Sequence, residues 1–416
     1  MKKLIAISAL LTLLAVAAFA QPSLGGHFGV QVNTFKSQTG EDANGDPEPV
    51  VAGINIKGSR VNVDFNNSDG TAGGRVRLSG RASEIGWWGA LPFAFAWWKP
   101  IPQLRIQIGH NPDGDWGAAQ ISGWGMNAEA QDSVAIDQDS SDPGSSAARK
   151  ARTGNLGGNA QPSVFYGGYS ELGALLSIYP AEGLTFNIAL PFGNGRAEGD
   201  KGIGNIYTKF HLNIVYSIPD IGTVRVTFQG LGGFNNDDED TKVSLNTTDA
   251  SPGTIYASFF LTAIDDLALD LGVSYGLPWE DDAKKTTTPG LGVGLGVRFT
   301  SGDFGIRVRA AAGLAGSTKA DGAEAVNEPT IIGFGILPSF AVAGMTIYLN
   351  AGVGISIPDG DDPFIGIDWF VNPYLRKSVS NLSFYAGVKI GTPGAPDKDN
   401  DAVIGWAVPI GFNCYF

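Results

Sequence analysis

The feature that most constrains this chain is the strict alternation of apolar and polar residues over long segments. In Met345–Ile357 every second residue is apolar, and Thr, Tyr, Asn, Gly and Ser stand between them. The same pattern fills Lys209–Ile218, Leu267–Leu277 and Leu382–Ile390. A period of two predicts β-strands with one apolar face. Such strands are longer than the roughly 5–6 residues of an ordinary globular strand. We therefore expect their apolar faces to pack against a large apolar surface.

The first residues predict export from the cytoplasm. Two lysines precede an apolar run at 4–17, and the tripeptide at 18–20, Ala-Phe-Ala, is an A-x-A cleavage site. We predict a signal peptide at 1–20, cleaved before Gln21, and a single domain at 21–416. Since Gln21 is not a cysteine, a lipoprotein anchor is not expected. No later apolar run reaches the length of a transmembrane helix.

The connections between the alternating segments are short and long in turn. Short ones follow Tyr179, Ile218, Ala263, Ser301, Ala343 and Ser378. Long ones occupy 36–49, 111–160, 193–202, 235–252, 279–289, 315–328 and 392–401. Transmembrane barrels have short periplasmic turns on one rim and long extracellular loops on the other. The sequence therefore predicts an all-β, antiparallel transmembrane barrel of about 18 strands, with 16 as the next most favoured number, since such barrels have even counts.

The chain ends on an alternating strand. The apolar set is Val408, Ile410, Phe412, Cys414 and Phe416. We expect this set to face lipid and Asn413 and Tyr415 to face inward. A strand edge in lipid has no water to bond its backbone N–H and C=O groups, so it must pair with another strand. We therefore predict that this strand pairs with the segment His27–Phe35 near the mature N-terminus and closes the barrel.

Together, the signal peptide, the amphipathic strands, the 59 glycines and the terminal Phe416 resemble the bacterial outer-membrane β-barrel and porin class. That resemblance implies a location in outer-membrane lipid. It also implies that the barrel-insertion machinery reads the last strand through Ile410, Phe412 and Phe416; Pro409 and Cys414 are unusual members of such a signal. The stretch Trp97–Gly125 is similar to a family of spirochaete outer-membrane proteins.

Charge divides between the loops and the strands. The net charge is −13, and the long loops hold most of the acids but few of the bases. The polar face of the strands is basic, opposed clearly only by Asp64 and Asp270. Rings of Arg and Lys favour anions. The predicted pore-lining residues are Arg75, Arg77, Arg105, Lys209, His211, Arg225, Arg298, Arg307, Arg309 and Lys389.

The long loop 111–160 is a candidate constriction. Loops of about 50 residues are usually functional or disordered. Its acids Asp113, Asp115, Glu129 and Asp132 are predicted to fold inward and face Arg307 and Arg309. In the alternative interpretation, such acids simply neutralise the basic wall.

Motifs for catalysis or metal binding are weak. Gly272–Gly276 reads G-x-S-x-G, but Ser274 lies within a strand pattern, whereas a nucleophile elbow needs a strand–turn–helix. The glycines at 290–296 alternate with apolar residues and predict small inward positions. The acids Asp397, Asp399 and Asp401 form an incomplete calcium motif, for which a solvated acidic surface is favoured. We expect no enzyme activity, no cofactor and no nucleic-acid partner.

Three functions remain open. A porin for passive diffusion of small hydrophilic solutes, with a mild anion preference, is favoured. A substrate-selective channel is second, because the Trp-rich stretch 87–124 could supply an ordered ligand track. A surface adhesin or structural barrel is third. A homo-oligomer is compatible with each of these functions.

Overall fold

The computed structural model describes residues 20–38, 51–80, 90–110, 172–191, 210–230, 234–235, 244–245, 253–277, 279–280, 286–288, 290–314, 317–319, 326–327, 330–357, 365–391 and 404–416. Its regular structure there is β-strand throughout, so the predicted all-β class is confirmed. The barrel strands are β1 (Ala20–Gln38), β2 (Val51–Asn67), β3 (Ala72–Gly80), β4 (Ala90–Ile101), β5 (Leu104–His110), β6 (Leu172–Ala181), β7 (Leu184–Pro191), β8 (His211–Ile218), β9 (Gly222–Gly230), β10 (Gly253–Ile264), β11 (Leu267–Gly276), β12 (Leu291–Ser301), β13 (Phe304–Gly313), β14 (Thr330–Val342), β15 (Met345–Ile357), β16 (Gly366–Val379), β17 (Leu382–Gly387 with Lys389–Gly391) and β18 (Gly405–Tyr415).

Each barrel strand pairs antiparallel with the next along the chain. The ring closes because β18 pairs antiparallel with β1, where Phe412 faces Val30 and Ile410 faces Val32. The predicted pairing of the last strand with the N-terminal segment is thus confirmed. Closure gives every strand two neighbours, which lipid requires of a spanning sheet.

The number of strands depends on how β17 is counted. The sheet has 19 strands when Leu382–Gly387 and Lys389–Gly391 are separate. Both pieces lie between β16 and β18, and only Val388 separates them. Val388 donates its N–H to the carbonyl of Pro373 at 3.0 Å, but a proline has no N–H to return. Since a closed ring with only antiparallel neighbours needs an even number, β17 occupies one position, and the described ring has eighteen.

The short connections form one rim. They include Glu182–Gly183, Asp265–Asp266 and Ala343–Gly344. The last has positive φ at both residues, 50° and 72°, as a type I′ hairpin turn needs. The C-terminus lies on the same rim: Gly26 N–H donates to the Phe416 carbonyl at 2.6 Å, and Phe416 N–H donates back at 3.1 Å. The predicted loop 111–160 lies outside the described residues.

The two faces of the strands differ as the alternation predicts. On β11, Leu271 is 51% exposed, whereas Asp270 and Ser274 are fully buried. Apolar side chains therefore cover the outside of the barrel, and the polar ones face inward. On β4, Trp98 faces out, but Trp97 contacts the inward Arg105. The alternation thus places these two neighbouring tryptophans on opposite faces of the strand.

Short strands extend beyond the barrel. Phe234–Asn235 pairs with Ser244–Leu245. Trp279–Glu280, Thr286–Thr288, Ser317–Lys319 and Val326–Asn327 form a four-stranded sheet. All six segments belong to connections opposite the short-turn rim. Nothing helical in the described part of the chain has the length and hydropathy of a membrane span.

Candidate functional site

The inner wall of the barrel is the candidate functional surface, because polar side chains converge there. The described residues on it that the sequence predicts to line a pore are Arg75, Arg77, Arg105, His211, Arg225, Arg298, Arg307, Arg309 and Lys389. Lys209 lies outside the described residues, as do the loop acids Asp113, Asp115, Glu129 and Asp132 and the calcium candidates Asp397, Asp399 and Asp401. Over the residues that are described, no group of three His, Cys, Asp or Glu side chains could hold a metal ion.

Burial divides these inward bases into two groups. Arg298 is exposed, and Arg75, Arg77, Arg105 and Arg307 are half-buried. His211, Arg225, Arg309 and Lys389 have at most 5% of their surface exposed. A dissolved ion therefore reaches the first group directly, while the second group is enclosed by protein.

On β2 and β3 the half-buried arginines have neighbours that hold them. Arg75 Nε lies 2.5 Å from Asp64 Oδ1, with side chains 30% and 28% exposed. Arg77 Nε donates to Asn62 Oδ1 at 2.6 Å. Both contacts join direct cross-strand partners, so strand register alone positions these two guanidinium groups.

Glycines flank the buried Arg309. Its cross-strand partners are Gly296 on β12 and Gly335 on β14. Gly296 in turn faces Asp270 on β11. Because neither partner has a side chain, the long arginine can lie across the wall. Asp270 interacts electrostatically with Arg309 and also with Arg225, which lies on β9. One buried carboxylate therefore stabilises two buried guanidinium groups.

Further along this row of cross-strand partners, Phe370 repeats the arrangement. It stands between Gly352 on β15 and Gly391 on β17, and is 1% exposed. A Cβ added at Gly352 would lie 2.6 Å from Phe370 Cε1, so the ring covers that glycine. We call the inward glycines of β12, β14 and β15 the glycine wall: Gly292, Gly294, Gly296, Gly333, Gly335, Gly352 and Gly354.

The neighbouring part of the wall, on β6–β11, is filled by neutral polar side chains, which we call the polar ladder. Its members are successive cross-strand partners: Ser177, Asn187, Asn213, Thr227, Tyr256 and Ser274. Asn187 Nδ2 donates to Asn213 Oδ1 at 2.9 Å, and Asn213 Nδ2 donates to Thr227 Oγ1 at 2.7 Å. All six are buried.

The polar ladder was not identified from the sequence. Each member does occupy a polar position in an alternating segment, which is a signal of inward orientation. Their alignment into one row follows from strand register, which the alternation does not specify. Similarly, Gln107 and Ser177 are fully buried inward residues. Because they carry no charge, the sequence did not identify them as pore-lining candidates.

Two arginines stand directly opposite each other near the short-turn rim. Arg298 on β12 and Arg307 on β13 are cross-strand partners. Like charges in such a pair destabilise a sheet. The pair places two positive charges close together where the wall is accessible.

Comparisons with known proteins show the fold. No family model and no curated protein sequence matches this chain. Among solved structures, the outer membrane channel DcaP of Acinetobacter baumannii is similar with a TM-score of 0.54 and 12% identity, covering 96% of this chain and 98% of that one. A loop-deletion mutant of OmpT from Vibrio cholerae aligns with a TM-score of 0.48 and 12% identity over 96% and 100% of the two chains. The DcaP likeness shows an outer-membrane β-barrel fold.

Proposed function

We propose that this chain is an outer-membrane channel for passive diffusion of small hydrophilic solutes, with a mild preference for anions. The observation that carries the proposal is the closed ring with polar side chains on its inner face, where the charged side chains are mostly basic. A ring of about 18 strands is wide enough to enclose more than its own side chains, unlike barrels of about 8 strands. The fold shared with an outer membrane channel supports this proposal.

The accessible arginines support the anion preference. Arg298 and Arg307 form a like-charged pair on the inner wall, and a ring of such groups attracts anions. On β2, Asp64 is paired with Arg75, and on β11, Asp270 is fully buried. Neither acid is a cross-strand partner of Arg298 or Arg307.

Reversal potentials in planar bilayers under a salt gradient test the preference. The purified wild-type protein should show stepwise conductance with a reversal potential on the anion side. Replacing Arg298 and Arg307 together with Gln should shift it toward cations, while Lys377→Gln, an exposed change on the outer face of β16, should leave it unchanged. A clear cation preference of the wild type would contradict the anion proposal.

The long loop 111–160 is proposed to narrow this channel. Its acids and its length are the support for this idea. Shortening the loop between 121 and 150 should raise the single-channel conductance if it occupies the pore. Unchanged conductance in a correctly inserted variant would show that the loop lies elsewhere.

The alternative functions predict different results. A surface adhesin or structural barrel would give no stepwise conductance at all. A substrate-selective channel would conduct, but one class of solute would bind and interrupt the current. The inward position of Trp97 beside Arg105, with their 4.8 Å ring contact, favours this second candidate over the adhesin.

Insertion is proposed to depend on Ile410, Phe412 and Phe416, after removal of the signal peptide at 1–20. Ile410 and Phe416 are 46% and 55% exposed on the outer face, where another protein can recognise them. Phe416→Asp should lower the amount of barrel in outer-membrane fractions, without altering the selectivity of the molecules that insert. Normal membrane levels would contradict this role.

A further inference from the structure

Lys377 is a charged residue on the outer face of the barrel. It lies on β16 and faces Phe384 of β17, and both side chains are exposed. Among the Asp, Glu, Lys and Arg residues of the barrel strands whose side chains the structure describes, Lys377 is the one that faces outward. Charges on the lipid face of a barrel are destabilising. A lysine at such a position therefore points to a polar partner within the membrane.

Lys377 lies close to the short-turn rim. β16 ends two residues later, at Val379, and the turn at 380–381 follows. Two residues of strand span about 7 Å, and a lysine near the end of a membrane span extends its ammonium group to the interface. Short turns are on the periplasmic side of outer-membrane barrels. The Lys377 ammonium group is therefore level with the phospholipid headgroups of the periplasmic leaflet.

A shallow groove begins beside Phe384 and runs toward the middle of the membrane. Two residues deeper on β17, Ala386 faces Leu375 on β16 and Ile410 on β18. All three are exposed on the outer face. Because neighbouring strands are about 4.8 Å apart, Leu375 and Ile410 stand roughly 10 Å apart with only a methyl group between them. We call this depression the β17 groove, and its width accommodates one acyl chain.

The charge on Lys377 determines which headgroup fits. An ammonium group is a compact charge with three donors, and lysine is a common partner of phosphate. A zwitterionic headgroup carries its own ammonium group, which competes with the lysine for the phosphate. An anionic headgroup such as phosphatidylglycerol has no such competitor. Its hydroxyl groups can also bond to Ser380 and Asn381, whose polar side chains are exposed in the adjoining turn.

We propose that Lys377 and the β17 groove bind one phospholipid with an anionic headgroup from the periplasmic leaflet. Lys377 binds the phosphate, Ser380 and Asn381 contact the headgroup hydroxyls, and one acyl chain lies over Ala386. The bound phosphate supplies the opposite charge that an ammonium group on a lipid-facing surface requires. The inference rests on the membrane-spanning barrel fold and does not depend on the channel function.

Native mass spectrometry of the purified protein in detergent tests the site. The probes are phosphatidylglycerol, phosphatidylethanolamine and phosphatidylcholine with identical acyl chains. The wild type should retain one phosphatidylglycerol about fivefold more tightly than either zwitterionic lipid, the effect of one lysine near an anionic surface. Lys377→Gln should abolish this difference, and Lys377→Arg should preserve it.

Two further variants test charge position and the groove separately. Arg376→Gln is the matched control, because it removes one positive charge from the neighbouring residue, which faces the inner wall and donates to Ser383 Oγ at 2.7 Å. It should leave phosphatidylglycerol binding unchanged. Ala386→Phe fills the β17 groove and should weaken binding of all three lipids by about twofold, the equivalent of a few lost dispersion contacts.

Equal retention of the three lipids by the wild type overturns the proposal. Equal effects of Lys377→Gln and Arg376→Gln also overturn it, since net charge alone would then explain the binding. Unchanged binding by Ala386→Phe excludes the β17 groove as the path of the acyl chain. If Lys377→Gln does not fold, the three-lipid comparison on the wild type and on Arg376→Gln still decides the matter. Conductance measurements are independent of all these results, so the lipid site and the channel can fail separately.

Discussion

Two neighbouring regions of the inner wall, the polar ladder and the glycine wall, are packed in different ways. In the polar ladder on β6–β11, neutral side chains hydrogen-bond across strands, from Asn187 to Asn213 and from Asn213 to Thr227. The glycine wall has no side chains at most positions, and long residues such as Arg309 and Phe370 lie across it. Side-chain hydrogen bonds connect neighbouring strands in the polar ladder, whereas long side chains packed on glycines do so at the glycine wall. Different kinds of substitution should therefore destabilise the two regions.

The largest effect is expected next to the glycine wall, at Asp270. Asp270→Asn preserves shape but leaves two buried cations, Arg225 and Arg309, without the charge that stabilises them. Removing the opposite charge that interacts with buried cations costs up to about 3–5 kcal/mol. Guanidinium unfolding of the protein in lipid vesicles, followed by tryptophan fluorescence, measures the loss. Asp64→Asn is the control, because its partly exposed pair with Arg75 contributes at most about 1 kcal/mol. Equal losses would show that burial of the charges is unimportant.

In the polar ladder, Asn213 is the central member. Asn213→Leu removes both of its hydrogen bonds and leaves Asn187 and Thr227 with buried polar atoms to satisfy. We expect a loss of about 2–3 kcal/mol, measured by the same unfolding. Asn62→Leu removes a single bond to Arg77 at a half-buried position and should cost about 1 kcal/mol. The double variant Asn187→Leu, Asn213→Leu should lose less than the sum of the single losses; strict additivity would mean that the ladder does not act as a unit.

Packing on the glycine wall is tested at Gly352. In Gly352→Ala the new methyl group would lie 2.6 Å from a ring that is itself buried, so overpacking should cost about 2 kcal/mol. Adding Phe370→Leu should recover part of that loss, because the smaller side chain makes room. Gly25→Ala is a neutral control, since the nearest atom to its Cβ is 3.5 Å away. Failure of Phe370→Leu to rescue would exclude contact with the ring as the cause.

The smallest effect is expected in the turn 68–71, where polar side chains hydrogen-bond to each other as in the polar ladder but are exposed to solvent. The Thr71 hydroxyl donates to Asp69 Oδ1 at 2.8 Å, and this bond lowers the pKa of Asp69 below its usual value. A lowered pKa in the folded state stabilises the fold above the unfolded pKa of about 3.9, and the contribution disappears as pH falls through the folded pKa.

Thr71→Val should therefore be slightly less stable than wild type at neutral pH, with a smaller difference at acidic pH, where the Asp69 carboxyl becomes protonated in both states. Unfolding at the two pH values measures this change. Asp69→Asn removes the titrating group, so its difference from wild type should also be largest at neutral pH and should shrink on acidification. A stability difference that grows on acidification would contradict the assignment.

Much of the fold could be predicted because lipid imposes a simple rule. Period-two alternation in segments such as Met345–Ile357 defines strands and their outer face, and the rule against open edges joins β18 to β1. The inward glycines at 292–296 and the inward Asn413 follow from the same pattern and are confirmed by their burial.

The composition of each strand and the direction of its side chains were thus determined by the sequence alone. The tertiary structure decided which inward residues became neighbours, because a strand shifted by two residues keeps the same faces but changes every cross-strand partner. Only the register places Asp270 beside Gly296, aligns Ser177 with Asn187 and Asn213, and brings Trp97 opposite Gln107. The tertiary structure also decided the burial of each inward arginine, because burial depends on the side chains that surround the arginine in the closed ring.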